Sequence, residues 1–240
     1  MKQDLAITQI TEQELIEKAQ QFQDRENWIA VISLLNPYHA NGDLSINALK
    51  MLGYSYSRNK NYDEAIVIYQ DLSQRQPNEA MWPYCLAYQY QCKKDFHSSI
   101  EAYLNCLQIF PKWIKVYGEL AKLYKEIGED EKALDTCSDG IQVYKNIKSD
   151  HQKKYASSYS KLCTLRARLI SSKRTKSEAD IAEIEIMLKE STHIDPQNAD
   201  TWYRFGDFMI EQGKYDDAVQ YLQKAESLAP QKEYIPHKIA

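Results

Sequence analysis

The chain has 240 residues, 43% apolar and 27% charged, with a net charge of −4, which fits one or two folded domains and excludes a disordered polymer. Its 7 Gly and 7 Pro fall below the usual shares of about 7% and 5%, so turn-rich β-sandwiches, propellers and Gly-rich phosphate loops are excluded and long helices with short connections are expected. The five cysteines are odd in number and form no Cys-x-x-Cys pair, which argues against a disulfide framework or zinc site and for a reducing, cytoplasmic compartment.

In chain order, residues 1–10 carry neither the basic start nor the apolar stretch of a secretory signal. Thr11 with Glu14 predicts a capping box that opens a helix running to about Gln23. Trp28–Leu35 predicts a second helix, ended early by Asn36-Pro37. That stretch is also the longest apolar run, interrupted by Ser33, and is too short to span a bilayer.

Blocks of 34 residues then begin at Ile46, Ala80 and Ile114, and a further block begins at Ala199. Their seventh and eighth places hold Leu52-Gly53, Leu86-Ala87, Leu120-Ala121 and Phe205-Gly206. The eleventh holds Tyr56, Tyr90, Tyr124 and Met209, and the twentieth Ala65, Ser99, Ala133 and Ala218. The twenty-fourth holds Tyr69, Tyr103, Cys137 and Leu222, and Pro77, Pro111 and Pro230 close three of the blocks. Apolar residues recur at helical spacing within each half-block. Small side chains at the eighth and twentieth places let two antiparallel helices approach, and proline stops the second helix.

This pattern resembles the tetratricopeptide repeat family. The resemblance implies an all-α fold, an α-solenoid in which stacked antiparallel helix pairs wind into a right-handed superhelix. The expected organisation is a single domain over 1–240, with a degenerate unit at 12–45 and regular units at 46–79, 80–113 and 114–147. An atypical extended unit follows at 148–198, then a regular unit at 199–232 and a short tail at 233–240. In the extended unit one helix is expected from about His151 to Ser171 and another from about Glu178 to Thr192. The tail offers the start of a capping helix, cut short by Pro236.

Charge is segmented. Residues 145–176 hold ten Lys or Arg against Asp150 alone. One reading is an anion-binding face ending in Arg166, Arg168, Lys173, Arg174 and Lys176, suited to nucleic acid or a membrane surface. The simpler reading is a solvated helix paired with the acidic helix after it, which carries Glu178, Asp180, Glu183, Glu185 and Glu190. The acidic isoelectric point and lack of a nucleic-acid fold signature make nucleic acid the weaker partner.

No dinucleotide, Walker, zincin, hydrolase-elbow or calcium-loop motif occurs, and the five histidines are scattered. No catalytic, cofactor-binding or metal-ligating residues are expected, no cofactor is implied, and the chain reads as non-enzymatic.

The resemblance implies that the first helix of each unit lines a concave groove. The residues facing it would be Asn47, Lys50, Tyr54, Tyr84, Tyr88, Gln91, Lys115, Lys122, Lys125 and Tyr203. Such a surface suits a peptide or helix of a protein partner with acidic and apolar or aromatic anchors. The carboxylate-clamp subtype of the family is disfavoured, because its register gives Lys50, Tyr54, Cys85, Lys115 and Glu119, in which only the lysines match. The expected function is therefore a protein–protein interaction scaffold or chaperone-like adaptor acting in assembly, chaperoning or regulation. The alternatives are anionic-ligand binding through 145–176 and a helical accessory subunit of an enzyme; self-association is open through an end unit.

Overall fold

A computed structural model describes residues 11–231, and among them are twelve α-helices and no strand. The chain divides into two compact units, the first ending at Ile109 and the second beginning at Phe110. In the first unit lie α1 (Glu12–Asp24), α2 (Trp28–Ala40), α3 (Ile46–Arg58), α4 (Tyr62–Arg75), α5 (Met81–Cys92) and α6 (Phe96–Ile109). In the second lie α7 (Ile114–Glu126), α8 (Asp130–Lys145), α9 (Ser149–Ser171), α10 (Glu178–Ile194), α11 (Ala199–Glu211) and α12 (Tyr215–Leu228). Consecutive helices pack as pairs, so each unit is a stack of helix hairpins. The tail from Lys232 lies outside the described residues.

The small-residue columns are where helices meet. A Cβ on Gly53 would stand 3.0 Å from Ile68 Cγ2, and one on Gly206 would stand 2.6 Å from Leu222 Cγ. Ala87 and Ala121, in the same column, are fully buried. In the partner column Ser99 replaces alanine and donates its hydroxyl to the Ala87 carbonyl at 2.8 Å, so its polar atom is satisfied inside the contact.

The turn inside five of the six hairpins, all but α9–α10, repeats as strictly. Glu26, Lys60, Lys94, Gly128 and Gly213 all have positive φ, between 53° and 82°. In each turn the next residue's amide donates back to a carbonyl of the first helix, as in Asn61 to Tyr56 and Asp95 to Tyr90, both at 2.9 Å. The positive-φ residue's own amide reaches another, as in Lys60 to Ser57 at 3.1 Å. This is the Schellman close of a helix, which prefers glycine at the left-handed position. Lysine and glutamate hold that position in the first unit, and glycine in the second.

Three helix expectations change. Pro37 does not end α2, which runs on to Ala40. A proline in the last turn removes one amide donor, and the Tyr38 and His39 carbonyls accept from Asp43 and Gly42 to close the helix. Helix α9 starts at Ser149 and α10 runs to Ile194, so both are longer than periodicity suggested. Gly140 makes the tightest helix contact among the glycines of the second unit. It lies inside α8, where a Cβ would stand 2.6 Å from Leu162 Cδ2 and 2.7 Å from Tyr117 Cβ.

Both units bury an apolar interior, and the second adds polar ties. The first buries a continuous apolar cluster from Leu15 through Leu35, Leu49, Leu52 and Leu72 to Trp82. The second is threaded by polar bonds. Ser160, Thr164, Ser191 and Thr201 are buried and exchange hydroxyl hydrogen bonds of 2.7–3.2 Å across α9, α10 and α11. Arg166 donates to Glu183 at 2.6 Å, to the Leu134 carbonyl at 2.8 Å and to Ser138 Oγ at 2.6 Å, joining α8, α9 and α10. Tyr159 stacks on Tyr144 with ring centres 3.8 Å apart and donates its hydroxyl to Glu190 at 2.7 Å.

Candidate functional site

In the first unit, α3, α4 and α5 enclose an open cavity of about 410 Å³. Tyr54, Ser57 and Arg58 come from α3, Lys60 from the turn after it, and Tyr62 and Tyr69 from α4. Tyr84, Cys85, Tyr88 and Gln89 come from α5. Helical periodicity fixes this choice: 54, 57 and 58 share one face of α3, and 84, 85, 88 and 89 share one face of α5.

Tyr54 and Tyr88 are 48% and 49% exposed, unusual for side chains of that size. Tyr54 meets Trp28 edge-on with ring centres 5.5 Å apart, and the Arg58 guanidinium lies 5.5 Å from the centre of the Trp28 ring. The Tyr69 hydroxyl is hydrogen-bonded to the Cys85 thiol, and burial pushes both groups up, the thiol to about 11. Tyr62 and Tyr88 both hydrogen-bond to Cys92, and for Tyr88 that bond is the first cause of a raised pKa. Burial also pushes Cys106, Cys137 and Cys163 to about 12. Cys85, Cys106, Cys137 and Cys163 stay protonated near neutral pH and lack the character of nucleophiles.

The expected groove residues are divided between the units. Asn47, Lys50, Tyr54, Tyr84, Tyr88 and Gln91 lie on α3 and α5 of the first, and three of them, Tyr54, Tyr84 and Tyr88, line its cavity. Lys50 instead stands over the Trp82 ring at 5.2 Å. Asn47 is exposed and Gln91 half-buried, both away from the cavity wall. Lys115, Lys122 and Lys125 lie on α7 of the second unit, where Lys122 pairs with Glu119 at 3.2 Å and Lys125 with Asp130 at 2.9 Å. Tyr203 is only 8% exposed and packs with Leu222 and Ala225, so it forms core.

Three of the ten basic side chains of 145–176 are paired with carboxylates, and Lys145, Lys148, Lys153, Lys154, Lys161, Arg168 and Arg174 are exposed. Arg166 is bound to Glu183, Lys173 to Asp180 at 2.6 Å and Lys176 to Glu211 at 3.4 Å. Arg174 is exposed. Arg168 lines a cavity of about 340 Å³ with Lys122, Lys161, Thr164, Leu165, Asn198 and Asp200. That cavity brings Lys122 of the expected groove beside Arg168 of the basic segment.

Sequence reasoning missed Arg58, Lys60, Tyr62 and Gln89. Gln89 had a signal: it occupies the tenth place of its block, where the others hold Ser55, Leu123 and Phe208, all buried.

Models of the tetratricopeptide repeat match residues 48–79 and 178–235. The chain is a tetratricopeptide repeat protein. Comparison with curated proteins by sequence finds no match. Similar solved structures include pilF of Pseudomonas aeruginosa, 15% identical with a TM-score of 0.62 over 79% of this chain and 78% of that one. MamA is 17% identical with a TM-score of 0.58 over 76% of this chain and 97% of that one. YrrB, described as a tetratricopeptide repeat protein with an unusual peptide-binding site, is 14% identical with a TM-score of 0.53 over 84% and 95%. At these identities the likeness is one of fold. The repeat family is generally non-catalytic and its fold serves protein–protein interaction. Among the described residues no helix is long and apolar enough to cross a membrane, and no His, Cys, Asp or Glu group is arranged to hold a metal ion.

Proposed function

We propose that this tetratricopeptide repeat protein is a non-catalytic scaffold that takes a peptide or helix of a protein partner against the first helices of its hairpins. The observation that carries the reading is the tyrosine-walled cavity of the first unit. Tyrosine supplies large contact area with few rotatable bonds and a polar tip. Two such rings left half-exposed beside Arg58 and Lys60 form a surface for a partner with aromatic and acidic anchors. The peptide-binding site described for YrrB is consistent with this use of the fold. A role as adaptor in assembly, chaperoning or regulation in the cytoplasm follows from the same reading.

Anionic-ligand binding through 145–176 is the lesser reading. Arg166, Lys173 and Lys176 already answer carboxylates of the chain, and its support is the seven exposed Lys and Arg that remain, of which Arg168 and Lys161 share a cavity with Lys122. The test is affinity capture from the native source with the intact chain and with Tyr54→Ala/Tyr84→Ala/Tyr88→Ala. The variant is expected to keep its helical circular dichroism and lose the partner. Retained capture would move the site to the second unit.

A further inference from the structure

Two helices of the second unit carry cations in rows. Lys115 and Lys122 stand seven residues apart on α7, and Lys161 and Arg168 seven apart on α9. Seven residues make nearly two turns, so each pair shares one helix face and spans about 10.5 Å. The rows meet along a channel. Lys115, Lys122 and Lys161 line a cavity of about 200 Å³, and Lys122, Lys161 and Arg168 line the next, of about 340 Å³. Lys122, Lys161 and Leu165 belong to both cavities, which makes them continuous. Gly118 opens the wall on the α7 side. The same place holds Lys50, Tyr84 and Tyr203 in the other blocks, and a Cβ at Gly118 would meet nothing nearer than 3.9 Å.

Two carboxylates line the channel, and each already has a cation. Glu119 lies 3.2 Å from Lys122, and Asp200 lies 3.9 Å from Arg204. Lys161 and Arg168 are exposed and make no ion pair among the described residues. The four cations of the two rows donate hydrogen bonds and never accept them.

That composition selects an extended ligand made of acceptors. A single tetrahedral anion is too short to reach both ends of either row. A peptide brings backbone N–H groups that lysine and arginine cannot answer. A nucleic-acid strand brings bases that bind by stacking on aromatic faces, and no aromatic residue lines either cavity. A linear chain of phosphates carries charged acceptor oxygens along its whole length.

We infer that the α7–α9 channel binds a linear phosphate chain, laid lengthwise between Lys115 and Lys122 on one side and Lys161 and Arg168 on the other. It is a second site, for a dissolved anion, separate from the tyrosine surface proposed for a protein partner. It draws two of its four cations from the basic segment 145–176 and two from α7.

The probe is tripolyphosphate, titrated calorimetrically into the full chain over a series of salt concentrations. The unaltered chain is expected to bind it. Lys161→Gln/Arg168→Gln is expected to weaken binding about tenfold or more and to reduce the slope of log affinity against log salt by about 2, one for each cation removed. Lys153→Gln/Arg174→Gln removes the same charge from outside the channel and is expected to change affinity less than about twofold, because salt screens exposed charges at a distance. All four side chains are exposed, so both variants are expected to keep their helical circular dichroism. Tyr54→Ala/Tyr84→Ala/Tyr88→Ala is expected to bind tripolyphosphate like the unaltered chain, which separates this site from the partner surface. Adenosine triphosphate carries the same chain on a nucleoside: weaker binding than tripolyphosphate assigns a free phosphate chain, and equal binding a nucleotide's.

No binding of tripolyphosphate by the unaltered chain would overturn the inference. So would an equal loss in the two charge variants, which would reduce the effect to net charge. A glutamate peptide or an oligouridylate of equal charge that bound as tightly as tripolyphosphate would overturn the choice of phosphate.

Discussion

The two units share one hairpin design and both bury an apolar interior, but they use their polar and aromatic side chains differently. The first buries leucines in a continuous apolar cluster and leaves tyrosines half-exposed around a cavity. The second spends its polar residues internally, on a buried hydroxyl network and on Arg166. The difference teaches where recognition can reside. Arg166, which looks available in the sequence, is consumed where it holds α8, α9 and α10 together, whereas the less conspicuous first unit keeps aromatic surface unspent.

The comparison can be broken at its tightest point. Gly140→Ala drives a methyl into Leu162 and Tyr117 Cβ. It is expected to destabilise by about 2–3 kcal/mol in urea unfolding followed by circular dichroism. Gly118 is the internal control: a Cβ there meets only Leu162 Cδ1, at 3.9 Å, so Gly118→Ala is expected to stabilise by about 0.5–1 kcal/mol through helix propensity. Equal effects at the two glycines would contradict the packing.

Arg166→Met removes one ion pair and two further hydrogen bonds from a side chain only 18% exposed. A loss of about 2 kcal/mol is expected, the partly exposed Glu183 limiting the penalty. A neutral result would mean that the second unit does not depend on its polar ties.

The hairpin turns give a smaller change of opposite sign. Lys94→Gly relieves a left-handed lysine at φ 62° and is expected to raise stability by about 1 kcal/mol or slightly less, partly offset by the freer unfolded chain. Gly213→Lys in the second unit should cost a similar amount, because Gly213 has φ 70° in the equivalent turn.

The smallest effect concerns pH. The Lys173 ammonium, then the Ser177 amide and hydroxyl, hold the Asp180 carboxyl below its usual value. A carboxylate with a lowered folded pKa stabilises fully above its unfolded value near about 4 and loses that contribution as pH falls through the folded value. The difference in thermal midpoint between the intact chain and Asp180→Asn should therefore be constant near neutrality and shrink in acid. A difference that grew in acid would reverse the sign.

Much of this was legible in the sequence, for reasons that differ by residue. The Gly53, Ala87, Ala121 and Gly206 column announced the helix contacts because nothing larger fits. The capping boxes at Thr11–Glu14 and Ser177–Asp180 rest on local hydrogen bonds; that at Thr11–Glu14 was read from its spacing, the second was not. Lys60 and Lys94 hid the turns because glycine, the usual signal for a left-handed backbone, was absent. Tyr203 looked like a groove residue by its place, but α12 covers it. The cavity needed the fold, since Tyr62 and Arg58 reach it from different helices.

The central claim is that recognition belongs to the tyrosine surface of the first unit and not to the basic segment. Calorimetric titration of the captured partner, or of its interacting fragment, against three forms of the chain tests it most directly. These are the unaltered protein, Tyr54→Ala/Tyr84→Ala/Tyr88→Ala and Arg168→Ala/Arg174→Ala. The account predicts binding abolished in the tyrosine variant and changed less than about threefold in the arginine variant, as expected of rim or remote charges. Intact binding by the tyrosine variant, with binding lost in the arginine variant, would contradict it.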